Sequence, residues 1–115
     1  MVIAVDLDGT LAHTLDYQPF DRCMIGPPVE KMLSRVKFWL AQGHTVIIFT
    51  ARADMGFESK FYIKEWCRNY IGQELPITNE KTADIDVYFD DLAVAVERNT
   101  GRILGGCLEN LEEET

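Results

Sequence analysis

Val2-Ile3-Ala4-Val5-Asp6-Leu7-Asp8-Gly9-Thr10 is the stretch on which the reading of the chain turns. A short apolar run rich in branched residues stops abruptly at an acid, the pattern of a strand buried on both faces. The strand delivers two carboxylates, Asp6 and Asp8, into a turn at Gly9. Glycine there permits unusual backbone angles and lets backbone amides approach an anion. One carboxylate of such a pair can attack phosphorus while the other moves a proton. An acidic turn without chemistry uses the same residue types, so the pair alone decides nothing until the rest of the chain is set around it.

Working outward, residues 9–26 hold Gly9, Pro19 and Gly26 among scattered polar residues and read as an irregular loop or small hairpin. Pro27-Pro28 prepares a helix start. From there Val29, Met32, Leu33, Val36, Trp39 and Leu40 recur at helical spacing, and Gly43 ends the helix. Thr45-Val46-Ile47-Ile48-Phe49 is the clearest strand and stops at Thr50. A second helix is expected over 57–71, with Phe57, Phe61, Trp66, Tyr70 and Ile71 as its inner face. Pro76-Ile77-Thr78 is a marginal strand. Ile85 to Phe89 is a further strand, with Asp86 inside it, and stops at Asp90. Leu92 to Val96 reads as a short helix or a strand. The turn signal Asn99-Thr100-Gly101-Arg102 favours a hairpin into Ile103-Leu104. Leu108 to Glu114 is expected as a frayed last helix.

Strands separated by helices predict an α/β fold: one Rossmann-like domain over residues 1–115, with a central, mostly parallel sheet flanked by helices. Ligands of such sheets gather at the carboxyl ends of the strands. Asp6 and Asp8 follow the first strand, Thr50 the second, Lys81 the weak third, and Asp90-Asp91 the fourth. These polar residues are therefore expected on one rim.

With that order in place, Asp6-Leu7-Asp8-Gly9-Thr10-Leu11 resembles the opening motif of the haloacid dehalogenase (HAD) superfamily, whose members mostly transfer phosphoryl groups. Thr50 closing an apolar strand, Lys81 downstream, and Asp90-Asp91 after Val87-Tyr88-Phe89 follow in that family's order. The resemblance implies that Asp6 attacks the substrate phosphorus and becomes an aspartyl phosphate. It makes Asp8 the acid for the leaving oxygen and then the base for water, a role needing a raised pKa from neighbouring carboxylates and partial burial. It implies a Mg2+ ion held by the Asp6 carboxylate, the Asp8 carbonyl, Asp90 and Asp91, hard oxygen ligands that suit this ion. Gly9, Thr10, Thr50, the Ala51 amide and Lys81 would bind the phosphoryl group. Only nine positions separate Lys81 from Asp90, a short interval for the family.

Family members usually choose substrates with an inserted cap. Here 39 residues lie between Thr10 and Thr50, and 30 between Thr50 and Lys81. The predicted elements use them, so no cap domain is expected. The expected substrate is a phosphomonoester, on a small molecule or exposed on a macromolecule, and an open site also suits cover by a second subunit in a homo-oligomer. The rival readings are a receiver-like phosphoacceptor and a non-catalytic binding protein on the same fold.

Composition bounds these readings. At 115 residues, 47% hydrophobic and 26% charged, the chain suits one globular domain. A net charge of −8 disfavours broad binding to nucleic-acid backbone, although a terminal phosphate needs few basic residues. No stretch approaches the roughly 18 apolar residues of a membrane span, and no export signal is visible, so no membrane partner and a cytoplasmic location are expected. Cys23, Cys67 and Cys107 are odd in number and widely spaced, which fits a reducing compartment rather than a disulfide framework. Cys67, in a helical pattern, reads as packing. Arg52 and Asp54, just after Thr50, are read as substrate contacts or a rim salt bridge, and His13 and His44 as a solvated loop residue and a structural turn residue.

Overall fold

A computed structural model describes residues 1–14 and 24–105. In chain order the elements are β1 (Val2–Asp6), α1 (Glu30–Ala41), β2 (Thr45–Phe49), a 3-10 turn (Ala51–Asp54), α2 (Phe57–Tyr70), β3 (Ile77–Thr78), β4 (Val87–Phe89), β5 (Ala95–Val96) and β6 (Ile103–Gly105). The first four strands form one parallel sheet in the order β3-β2-β1-β4, and β5 and β6 form a separate antiparallel hairpin. The protein is thus α/β with a parallel sheet at its centre. The expected helix over Leu108 to Glu114 lies outside the described residues, as do Cys23 and Cys107.

The order 3-2-1 with two helical crossovers has a consequence for layering. Right-handed connections that step twice in the same direction place both helices on one face. Ile3 and Val5 of β1 and Val46 and Ile48 of β2 point to that face. They share a core with Met32 and Val36 of α1 and with Ile63, Trp66 and Cys67 of α2. The opposite face carries Ala4, Ile47, Phe49 and Tyr88, and Phe49 meets Tyr88 edge-on with centroids 5.2 Å apart. The parallel strands are apolar on both faces, as such strands usually are.

α1 follows its sequence signals, with Met32, Leu33 and Val36 buried and Gly43 at φ +86 just past its end. α2 corrects the expectation of an aromatic inner face. Its buried side chains are Ser59, Ile63, Trp66 and Cys67, whereas Phe57 is 86% and Phe61 47% exposed. The cause is angular. At about 100° per residue, positions 59, 63, 66 and 67 share one side and 57 and 61 fall opposite. Cys67 is packed inside, as read, and desolvation pushes its thiol up to about 11.

β4 is shorter than expected. Asp86 precedes it rather than lying inside it, and clamps the start of the strand to β1. Its carboxylate accepts from Val2 N at 2.7 Å while its own N–H donates to the Val2 carbonyl at 2.8 Å. The hairpin over 95–105 takes the strand alternative for this region, with Asn99 at φ 66 and Gly101 at φ 81 in its turn.

Candidate functional site

The carboxyl ends of β1 and β4 are neighbours in the sheet, with Val5 paired to Phe89. The residues that follow each strand therefore emerge side by side. After β1 the chain folds into a compact turn: Leu11 N and Ala12 N both donate to the Leu7 carbonyl, at 3.0 and 2.8 Å, and Gly9 N donates to the Ala12 carbonyl at 2.8 Å. Leu7, Leu11 and Ala12 are fully buried beneath this turn, which fixes it to the core. Val29 N donates to the Leu11 carbonyl at 2.7 Å and ties the turn to the start of α1.

Two glycines make close approaches here. Gly26 sits against the His13 carbonyl so tightly that a β-carbon would lie 2.0 Å from its oxygen, and the Gly26 carbonyl accepts from the Trp66 indole at 2.9 Å. Gly9 has φ +89, and a β-carbon there would lie 2.6 Å from Asp91 Oδ2. Only glycine lets the first turn lie against the Asp91 carboxylate in this way.

The result is a cluster of three carboxylates. Asp6, Asp90 and Asp91 each offer an oxygen within 4.8 Å of the others. Thr10 braces it, with its hydroxyl donating to Asp91 Oδ1 at 2.9 Å and accepting from Asp91 N at 3.0 Å. Asp90 Oδ1 accepts from Leu92 N at 2.8 Å. Like charges at this spacing oppose ionisation. Burial first, then a hydrogen bond with Asp91 and the charges of Asp90 and Asp91, push Asp6 from an ordinary 3.8 up to about 7. An all-oxygen, mutually repelling donor set, with Asp6 and Asp90 partly buried and Asp91 exposed, fits a hard divalent cation, which would relieve the crowding. These are three of the four residues expected around Mg2+.

Asp8 has a different environment. The crowding expected at Asp8 falls on Asp6, and Asp8 faces a cation instead. Arg52 Nε donates to Asp8 Oδ2 at 2.7 Å and Nη2 to Oδ1 at 2.9 Å, while Nη2 also reaches the Met24 carbonyl at 3.0 Å. Arg52 is buried, so of the two readings left open for it, the salt bridge is the one the geometry shows. Its importance was understated by sequence: the signal was its place two residues after the strand-ending Thr50.

Thr50 is buried at the end of β2, and its hydroxyl oxygen accepts from Arg52 N at 3.1 Å. It therefore caps the 3-10 turn, leaving the hydroxyl proton for another acceptor. Ala51 opens that turn, where a backbone N–H has no intrahelical acceptor. The donors of Gly9 and Thr10 are engaged within the loop and with Asp91, so in this arrangement they shape the acid cluster. The Lys81 ammonium sits over the Tyr88 ring, 5.3 Å from the centroid, and makes no ion pair with the described carboxylates.

No family model and no curated protein matches the chain. Among solved structures, a conserved protein from Bacteroides thetaiotaomicron is similar, with 26% identity and a TM-score of 0.60 over 91% of this chain and 82% of that one. The likeness runs through nearly the whole fold and brings no activity with it. No helix among the described residues is long and apolar enough to cross a membrane.

Proposed function

We propose that this chain is a capless phosphatase of the HAD superfamily, hydrolysing a phosphomonoester through an aspartyl phosphate on Asp6. The observation that carries the reading is the meeting of Asp6 with Asp90 and Asp91 at the carboxyl rim of a parallel sheet. A lone acidic turn would not recruit two further carboxylates from a distant strand against their mutual repulsion. The strand order 3-2-1-4 also counts against a receiver-like phosphoacceptor, whose doubly wound sheet runs 2-1-3-4-5. The substrate is a phosphorylated small molecule or an exposed phosphate on a macromolecule, met in the cytoplasm.

Asp6, Asp90 and Asp91 would hold Mg2+, with the Asp8 carbonyl completing the set. The ion would screen the repulsion between a carboxylate nucleophile and a phosphate. The chain's own residues do the rest. An Asp6 oxygen bonds to phosphorus as the ester P–O bond breaks, and the leaving oxygen takes a proton from Asp8. Water then gives a proton to Asp8 and attacks phosphorus, and the P–O bond to Asp6 breaks to release inorganic phosphate. The Thr50 hydroxyl and the Ala51 amide would hold phosphoryl oxygens. Lys81 would neutralise phosphoryl charge.

A panel of phosphoesters assayed with and without magnesium, beside Asp6→Asn, tests this reading. Magnesium-dependent phosphate release that the substitution abolishes is expected. Equal release by both proteins would remove Asp6 from its role, and a long-lived aspartyl phosphate without turnover would favour the phosphoacceptor.

A further inference from the structure

We infer that Arg52 is a positioning residue of this site: it fixes the Asp8 carboxylate so that Asp8 can deprotonate the water that frees phosphate from Asp6. The inference rests on the phosphatase reading above, and its support is geometric. The guanidinium grips Asp8 through two parallel bonds, at 2.7 and 2.9 Å, the planar fork that only arginine offers a carboxylate. Arg52 is itself held elsewhere. Nη2 donates to the Met24 carbonyl at 3.0 Å, and its backbone N–H donates to the Thr50 hydroxyl at 3.1 Å. The cation is therefore the fixed partner and the carboxylate the one being oriented.

The two partners are also unequally buried. The Arg52 side chain keeps 5% of its surface and that of Asp8 30%. Here the acid stays open to solvent while its anchor does not. A carboxylate has about four lone-pair sites, two on each oxygen. The fork takes one on each oxygen and leaves one on each for water. In the step concerned, water loses a proton to an Asp8 oxygen as the water oxygen bonds to phosphorus. The P–O bond to Asp6 breaks, and its electron pair returns to the Asp6 carboxylate.

The test compares the wild-type chain with Arg52→Lys and Arg52→Gln on an aryl phosphate in magnesium, with a thermal melt of each protein. For this substrate kcat/KM reports the steps up to departure of the aryloxide, which leaves without needing a proton. By contrast kcat also includes the attack of water. In the variants kcat is expected to fall about ten- to hundredfold while kcat/KM stays within about threefold. A burst of about one aryloxide per enzyme should accompany the slower turnover. Parallel loss of kcat and kcat/KM in the folded variants, or unchanged kcat, overturns the inference and leaves the phosphatase reading standing. Loss of the fold in both variants overturns it too, because Arg52 is then structural. A wild-type chain that releases no phosphate defeats the phosphatase reading, and this inference falls with it.

Discussion

Protons and a divalent cation should compete for Asp6, and the competition has a calculable size. With the carboxyl half-ionised at about 7, it is roughly nine-tenths ionised at about pH 8 and one-tenth at about pH 6. Cation binding requires the ionised form, so the apparent association constant should fall about tenfold across that interval, close to 1.4 kcal/mol. Near pH 6 each ion bound should release close to one proton, and near pH 8 almost none. Calorimetric titration with Mg2+ or Mn2+, in two buffers of different ionisation enthalpy, measures both quantities. Asp91→Asn adds an internal check. It removes one negative charge and the carboxylate that holds the Asp6 proton, so the midpoint should move down and the pH dependence should weaken. Stability of the metal-free protein should follow the same group. The folded state keeps a proton on Asp6 up to about 7, whereas the unfolded chain loses it near 3.8. Stability is therefore expected to fall as pH rises from about 4 to about 7 and then level off. An affinity that does not change between about pH 6 and about pH 8, with no proton release, would refute the picture of a crowded Asp6.

Other positions give independent checks. Gly9→Ala places a β-carbon 2.6 Å from Asp91 Oδ2 at φ +89. It should cost about 1–2 kcal/mol and displace Asp91, seen as a lower melting temperature together with weaker Mn2+ binding. Ser59 Oγ is buried in α2 without a hydrogen-bond partner among the described residues. Ser59→Ala should therefore stabilise the protein by about 0.5–1.5 kcal/mol in urea titration, from relief of a desolvated hydroxyl and better helix propensity. Ile63→Ala should cost about 2–5 kcal/mol, whereas Phe57→Ser on the opposite side of the same helix should stay within about 0.5 kcal/mol. Comparable losses at the two positions would show that the exposed side of α2 is covered in solution.

The contrast between α1 and α2 explains how much could be read from sequence. In α1 the apolar spacing agrees with burial because Met32, Leu33 and Val36 are buried and Trp39 and Leu40 pack against the same core, with Phe38 left on the exposed side. In α2 aromatic and aliphatic residues occupy both sides, and the buried seam includes Ser59 and Cys67, so the period fixes a helix without fixing its inner face. The rim was legible for a topological reason. Apolar runs ending in polar residues give the carboxyl ends of parallel strands wherever the strands sit in the sheet. The pairing of β1 with β4 was not in that pattern, because strand order depends on long-range packing. Nor was the Arg52–Asp8 fork, since it joins residues from two loops through geometry that no local spacing encodes. Lys81 was read from its order in the chain alone, at a short interval before Asp90, and the structure sets it against an aromatic ring.

The Thr10–Asp91 hydrogen bond joins residues 81 apart in the chain, and it spans the seam where β4 lies against β1. A nascent or truncated chain without β4 would contain Asp6 but no three-carboxylate cluster, so the cluster waits on the contacts of long sequence separation between β1 and β4. A cation bridging that seam would act like a reversible cross-link closing a long loop, and its concentration would set how often the seam opens.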